Sequence, residues 1–198
     1  MIRLLYYLAW LMDTPESRGT FGEMITASIF DNRYFGEEEH YLVNNLLFQT
    51  SDGKTHQIDH VVIYKTGIFC LESKNIDGLI LGHPDVPNWK VYINGPEPYD
   101  LYNPIMQNKG HVNVLSEFLN NKYRINSVVV FDNGNKPKDC GDEVVNIQDL
   151  KNYIKNYPCE EELNSETMQE IFALLTNYKE ESGISIREHI NNIKNNQK

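Results

Sequence analysis

The chain has 198 residues, of which 40% are hydrophobic and 23% are charged, and its formal net charge is −10. This length predicts one domain, with or without an appended subdomain, that is large enough to bury a substantial core. The acidic balance argues against a nucleic-acid coat protein, which would be basic, but metal-binding carboxylates also lower the net charge, so a nuclease stays open.

An apolar run occupies residues 1–12 and is interrupted by Arg3. A bilayer-spanning helix needs about 20 residues, so this run is too short to cross a membrane. It also lacks a small-residue cleavage site, which argues against a signal peptide. We interpret the run as a strand or helix that packs on the domain, with a truncated membrane anchor as the alternative, and we expect no stable membrane association.

The remaining elements alternate between helical and strand patterns. Apolar spacing predicts a helix over residues 17–33, and an Asp-Gly turn within residues 51–54 precedes a central hairpin. Strands are predicted at 41–50, within the hairpin 57–75, and at 78–82, 88–93, 126–131 and 143–147, and further helices at 103–120, 148–157, 165–178 and 185–195. This order is typical of a mixed α/β domain with a small helical tail.

Three charged residues interrupt the apolar strands of the hairpin, namely Asp59, Glu72 and Lys74. A buried carboxylate without a partner is strongly unfavourable, so a bound metal ion is the simplest reason to keep these charges. Side chains alternate along a strand, which places Glu72 and Lys74 on one face together with Cys70. Because no base neighbours Cys70, we expect it to act as a small buried hydrophobe.

The length of the hairpin turn decides where Asp59 points. A two-residue turn at 66–67 would place Asp59 opposite Lys74, and a four-residue turn at 64–67 would place it opposite Glu72. A three-residue turn would move Asp59 to the other face, so convergence requires an even-length turn. Two carboxylates beside one lysine predict a hard oxygen site for a magnesium-like ion, and a buried structural ion pair is the alternative.

Four ordered motifs resemble the nuclease-related domain (NERD) family of the PD-(D/E)XK nuclease superfamily. They are G-x-x-G-E at 19–23, QIDHVV at 57–62, G-x-F followed by E-x-K-N at 67–75, and N-P-x-x-Q-N-x-x-H at 103–111. The resemblance implies a restriction-endonuclease-like α/β fold, in which helices flank a mixed central sheet. It divides the chain into an N-terminal apolar segment (1–17), a nuclease-like core (18–149) and a C-terminal helical extension (150–198). Phe21 and Ile58 depart from the pattern, since they stand where a basic residue and a proline are expected.

The resemblance also implies roles for the site residues. Asp59 and Glu72 would hold Mg²⁺ or Mn²⁺ together with the main-chain carbonyl of Ser73. Lys74 would position or deprotonate the attacking water, or stabilise the developing phosphate charge, and a cation beside it would depress its pKa. Two helical residues, Glu23 and Gln107, complete the catalytic set. The alternative for Glu23 is a solvated helix residue, and the alternative for Gln107 is helix capping or packing.

Three further residues are candidates for binding substrate. Gln57 shares the face of Asp59 and contacts phosphate or metal-bound water, or else is an ordinary polar residue of the strand. Asn103 caps its helix or touches substrate. His111 lies four residues after Gln107, on the same side of that helix. Four aromatic residues pack in the core or at its edge, or else stack on bases: Trp89, Tyr92, Tyr99 and Tyr102.

The leading hypothesis is a Mg²⁺-dependent nuclease that hydrolyses DNA phosphodiester bonds. The second is a binding or scaffolding module that keeps the nuclease fold without turnover, which fits the net charge of −10. A third is a hydrolase that acts on RNA or on a small phosphoester. The three cysteines lack C-x-x-C spacing, which indicates a reducing compartment and predicts a cytoplasmic protein.

Overall fold

The structure, a computed structural model, describes residues 15–50 and 55–182. Its helices are α1 (Pro15–Ile29), α2 (Asn32–Phe35), α3 (Pro104–Phe118), α4 (Ile147–Lys155) and α5 (Ser165–Glu181). Its strands are β1 (His40–Gln49), β2 (Thr55–Tyr64), β3 (Gly67–Lys74), β4 (Leu79–Leu81), β5 (Asn88–Tyr92), β6 (Tyr99–Tyr102), β7 (Ile125–Phe131) and β8 (Val144–Asn146). Three predicted features lie outside the described residues, namely the run at 1–12, the turn at 51–54 and the helix at 185–195.

Five strands form the central sheet in the order β1-β2-β3-β7-β8. β1, β2 and β3 pair antiparallel, whereas β7 and β8 run parallel to β3. The parallel pairing is available because the segment that contains α3 carries the chain back along the sheet before β7 begins. The mixed sheet with its helices is consistent with a nuclease-like fold and confirms the α/β class expected from the sequence.

Each face of the central sheet is covered by its own helices, because successive side chains of a strand point in opposite directions. On one face Cys70 of β3 packs with Leu115 of α3 and Ile171 of α5. On the other face Phe69 of β3 packs in a cluster with Leu150 of α4. Apolar residues on both of its faces fix β3 in the centre, so the groups at its ends are carried by a rigid element.

A second, three-stranded sheet in the order β4-β5-β6 lies between β3 and α3 in the chain. Its inner face packs Ile80, Trp89 and Val91 against Ile105 of α3 and Phe131 of β7. Trp89 is 0% exposed and is therefore a core residue rather than a stacking platform. This small sheet is anchored on the same helix and strand that frame the end of β3.

The sequence does not predict β6, because its four residues follow two prolines and lack an apolar alternation. Two of the tyrosines considered above, Tyr99 and Tyr102, are exposed in this strand and lie at the surface rather than in the core. The helix expected over 17–33 is divided into α1 and α2, where Asp31 caps α2 by accepting a hydrogen bond from the backbone N of Arg33. Within the described residues, no helix is long and apolar enough to cross a membrane.

Candidate active site

The charged residues of the hairpin meet at the C-terminal end of β3, between α1 and α3. Ser73 faces α1, where its hydroxyl donates a hydrogen bond to Thr26 Oγ1 at 3.1 Å. Lys74 faces α3, where its ammonium donates to Gln107 Oε1 at 3.2 Å. Strand alternation therefore aims two consecutive residues at helices on opposite sides of the sheet.

The turn between β2 and β3 has two residues and lies one position earlier than the two-residue turn considered from the sequence. The ladder ends with His60 paired to Leu71, so the next position in this register brings Asp59 beside Glu72. Asp59 Oδ2 also accepts a hydrogen bond from the backbone N of Ser73 at 2.9 Å. The turn is of even length, as convergence of the charged residues requires. Asp59 lies opposite Glu72, which is the pairing expected for the four-residue turn at 64–67.

The β1–β2 ladder is irregular opposite Asp59. In this register Asn45 would face Asp59, but the φ of Asn45 is +52° and pairing resumes only with Leu46 and Ile58. Asparagine tolerates this left-handed conformation better than most residues. The side chain of Asn45 also accepts a hydrogen bond from Gln57 Nε2 at 3.3 Å, which directs Gln57 toward β1.

Glu72 is a buried carboxylate whose side chain is 3% exposed. Its Oε1 accepts a hydrogen bond from Lys74 Nζ at 2.5 Å, and its Oε2 lies 3.3 Å from Nδ1 of His111. Burial raises the pKa of Glu72, but the charge of Lys74 and the contact with His111 outweigh burial, and the pKa is lowered overall. Glu72 is therefore ionised and held between two basic side chains.

Lys74 is the positive group of this cluster. Burial lowers the pKa of Lys74, whereas the charges of Glu72, Asp59 and Glu23 raise it. The effect of these charges is larger than that of burial, so the pKa is raised overall. This direction applies to the chain without a metal ion, so the depressed pKa expected beside a bound cation stays a prediction. A protonated Lys74 suits charge stabilisation better than proton abstraction.

Two more carboxyl groups face this ion pair. The pKa of Asp59 is raised well above its ordinary value by burial and by the charge of Glu72. The pKa of Glu23, on α1, is raised by burial and by Glu72, while Lys74 acts in the opposite direction. The predicted catalytic residues, including Gln107, are thus brought into one cluster by four different elements of the fold.

The donor set predicted for a metal consists of two carboxylates and one carbonyl. Oε2 of Glu72 is buried, and Nδ1 of His111 lies 3.3 Å from it without forming a hydrogen bond. Asp59 uses Oδ2 for its hydrogen bond and leaves Oδ1 available in the described part of the chain. These oxygens fit Mg²⁺, which commonly takes one or two protein carboxylates and retains water. Residues 15–50 and 55–182 contain no group of three or more His, Cys, Asp or Glu side chains that could hold a metal.

The three predicted substrate-binding residues have different surroundings. His111 belongs to the cluster described above and is 7% exposed. Gln57 is partly buried and donates a hydrogen bond to Asn45 Oδ1 of β1 at 3.3 Å. Asn103 is fully buried and caps α3, because its Oδ1 accepts a hydrogen bond at 2.9 Å from the backbone N of Ile105. Its Nδ2 donates to three loop carbonyls. The capping role of Asn103 is thus observed, and its contact with substrate stays a prediction.

Two residues that the sequence does not single out join this site, Thr26 and Asp132, and Gly22 of the first motif packs against them. Thr26 Oγ1 donates a hydrogen bond to Asp132 Oδ1 at 2.5 Å. A Cβ on Gly22 would lie 2.3 Å from Asp132 Oδ2, so the second glycine of G-x-x-G-E makes room for this carboxylate. Asp132 follows directly after the predicted strand 126–131, and a polar residue at the C-terminal end of a parallel strand is the signal that identifies it.

Comparisons with known proteins place these residues in a family context. The family model described as nuclease-related domain, NERD, matches residues 18–132. An uncharacterized protein of Bacillus anthracis is 27% identical over 143 residues, which cover 72% of this chain and 64% of that protein. The chain therefore spans less than two thirds of the length of that relative. No solved structure matches the chain.

Proposed function

Because this chain belongs to the nuclease-related domain (NERD) family, we propose that it is a metal-dependent nuclease that hydrolyses DNA phosphodiester bonds at Asp59, Glu72 and Lys74. The observation that carries this proposal is the contact of 2.5 Å between Lys74 and the buried carboxylate of Glu72, with the Asp59 carboxyl group beside it. Burying charges on a central strand is costly, and a catalytic site is a reason to retain them. The cluster also lies at the C-terminal end of β3, where open α/β sheets bind ligands.

Asp59, Glu72 and the main-chain carbonyl of Ser73 would hold one Mg²⁺ or Mn²⁺ ion. When bound, the ion would polarise the phosphate and lower the pKa of water. His111 orients Glu72 through its second oxygen, at 3.3 Å, and the Ser73 backbone N fixes Asp59 at 2.9 Å. These contacts preorganise the donor oxygens before substrate arrives.

Lys74 would neutralise the negative charge that develops on the scissile phosphate. Gln107 accepts a hydrogen bond from the Lys74 ammonium group at 3.2 Å and so holds it from α3. Glu23 is the remaining carboxyl group of the cluster and stays outside the metal donor set. It would orient the attacking water from α1.

The direct test is cleavage of linear, circular and single-stranded DNA with Mg²⁺, Mn²⁺ or EDTA. We expect Asp59→Asn and Lys74→Ala each to lower the cleavage rate at least about 100-fold. Lys155→Ala is the matched control, because the Lys155 side chain is 19% exposed, against 17% for Lys74, and is also paired with a carboxylate. Unchanged cleavage in both site variants contradicts the assignment, and an equal loss in the control shows that the loss follows folding rather than chemistry.

A second function, binding without turnover, is favoured by one observation. Both oxygens of Glu72 are already contacted, one by Lys74 and the other by His111, so the charges form a closed cluster within the chain. If the chain binds without turnover, we expect neither Mg²⁺ nor Mn²⁺ to raise its Tm, and we expect no cleavage of DNA. A steep decrease of DNA affinity with salt supports phosphate contacts and hence the nuclease. An RNA strand in the cleavage assay tests the third function, a hydrolase that acts on RNA.

A further inference from the structure

A relay of hydrogen-bonded side chains connects three elements of the fold beside the charged cluster. Ser73 Oγ donates to Thr26 Oγ1 at 3.1 Å, and Thr26 Oγ1 donates to Asp132 Oδ1 at 2.5 Å. Ser73 belongs to β3, Thr26 to α1, and Asp132 comes directly after β7. Thr26 and Asp132 are 0% and 3% exposed, so the hydrogen bond between them is shielded from solvent, and the one from Ser73 is partly buried.

The main chain reinforces this relay. The backbone N of Asp132 donates to the carbonyl of Lys74 at 3.1 Å. The next residue, Asn133, donates from its side chain to the carbonyl of Ile76 at 2.6 Å. Asp132 therefore holds β3 through its backbone and α1 through its carboxylate, at the point where the strand with the catalytic residues leaves the sheet.

The position of α1 is constrained at the same place. The backbone of Gly22 is so close to Asp132 that a Cβ would lie 2.3 Å from Oδ2. Gly22 immediately precedes Glu23, and Thr26 lies on the next turn of the same helix. A displacement of α1 at this contact therefore moves Glu23 relative to β3.

We propose that Asp132 and Thr26 are positioning residues, which fix α1 against β3 and thereby hold Glu23 and the Ser73 carbonyl beside Asp59. The catalytic consequence rests on the proposed nuclease function, whereas the relay itself is a property of the free chain. Neither residue is placed in contact with substrate. Misplacement of a reacting group by about 1 Å is enough to lower a rate about 100-fold.

Valine and serine at position 26 separate the hydroxyl from the shape of the side chain. We expect Thr26→Val to lower kcat by about 10-fold to 100-fold with little change in the KM for DNA, and Thr26→Ser to retain most of the kcat. Thr66→Val is the matched control, because Thr66 is 6% exposed, donates to the carbonyl of Ile154 at 2.7 Å, and lies beside the opposite end of β3. Equal losses of kcat in the two valine variants overturn the proposal.

Hydrogen exchange at the backbone N–H of Ser73 provides a measurement that does not depend on turnover. This group donates to Asp59 Oδ2, and we expect its exchange to become at least about 10-fold faster in Thr26→Val but not in Thr66→Val. Unchanged exchange in Thr26→Val overturns the relay. If the wild-type chain cleaves no nucleic acid but shows the expected exchange pattern, the relay is supported and the proposed function is the part that fails.

Discussion

The two ends of β3 are both rich in polar groups but organise them differently. At the N-terminal end, which we call the cavity end, Gly67, Ile68 and Asn126 contribute to the lining of a cavity of about 330 Å³. At the C-terminal end, which we call the site end, Glu72 and Lys74 form a buried ion pair. The extended strand from Ile68 to Lys74 spans roughly 20 Å. The cavity is therefore distant from the charged cluster.

The two ends differ in the charge of their buried polar groups. At the cavity end the buried polar groups are neutral, since Thr66 donates to a backbone carbonyl and Asn126 donates to the carbonyl of Ile68 at 3.3 Å. At the site end two carboxyl groups lie side by side, and the charge of Glu72 raises the pKa of Asp59. A neutral buried group needs only a hydrogen-bond partner, whereas a buried carboxylate also needs a cation. The chemistry of the side chains therefore favours the site end, rather than the cavity, as the candidate functional site.

The largest effect on stability is expected at Asn108, a buried amide of α3 that bridges the two central parallel strands. Its Nδ2 donates to the carbonyls of Cys70 and Val128 at 2.8 and 3.2 Å. Asn126, at the cavity end, makes one longer hydrogen bond, to the carbonyl of Ile68 at 3.3 Å. We expect Asn108→Ala to lower the free energy of unfolding by about 2–4 kcal/mol and Asn126→Ala by about 1 kcal/mol, measured by urea denaturation. Equal losses of stability in the two variants would contradict the conclusion that the amide of Asn108 holds the sheet more firmly than that of Asn126 does.

Relations within one strand or one hairpin could be predicted from the sequence. Glu72 and Lys74 share a face because they are two residues apart, and an even-length turn suffices to bring Asp59 to the same face. No local pattern places Gln107 beside β3, and its inclusion depended on the family resemblance. The turn itself was harder to place, because Gly67 is typical of a turn but pairs with Tyr64 as the first residue of β3.

Contacts between distant segments could not be predicted in the same way. Thr26 and Asp132 are 106 residues apart, and a threonine inside a helix carries no sign of a partner at the end of a strand. The raised pKa of Lys74 likewise depends on carboxylates supplied by three different elements. Such properties arise from the packing of α1 against the sheet, which the periodicity of α1 does not specify.

Packing at the site end should distinguish the two glycines of α1. A Cβ on Gly22 would lie 2.3 Å from Asp132 Oδ2 and 2.9 Å from Cβ of Asn75, whereas Gly19 has no described atom within 4 Å of that position. We expect Gly22→Ala to lower the free energy of unfolding by about 1–3 kcal/mol through overpacking. Gly19→Ala should raise it by about 0.5–1 kcal/mol, because alanine favours a helix. Urea denaturation of both variants checks the opposite signs, and a stabilised Gly22→Ala would contradict the close approach of α1 to Asp132.

The last expected effect is a pH dependence that arises at the site end. The pKa of Asp132 is raised from 3.8 to about 7, mainly by burial and further by the charge of Glu23. The hydrogen bond from Thr26 and the charge of Lys74 lower it, but by less. Between about pH 4 and about pH 7, Asp132 is therefore protonated in the folded chain and ionised in the unfolded chain. The stabilisation from the protonated carboxyl group is complete below about pH 4 and is lost as the pH rises through about 7.

Asp132→Asn imitates the neutral carboxyl group, can still accept the hydrogen bond from Thr26, and does not titrate. Relative to wild type, its free energy of unfolding should therefore rise by about 1–2 kcal/mol between about pH 5 and about pH 8, measured by urea denaturation. Thr66→Val, at the cavity end, should stay parallel to wild type over the same range. A constant difference between Asp132→Asn and wild type would mean that Asp132 is already ionised in this range, so the site end would hold a further buried negative charge balanced by Lys74.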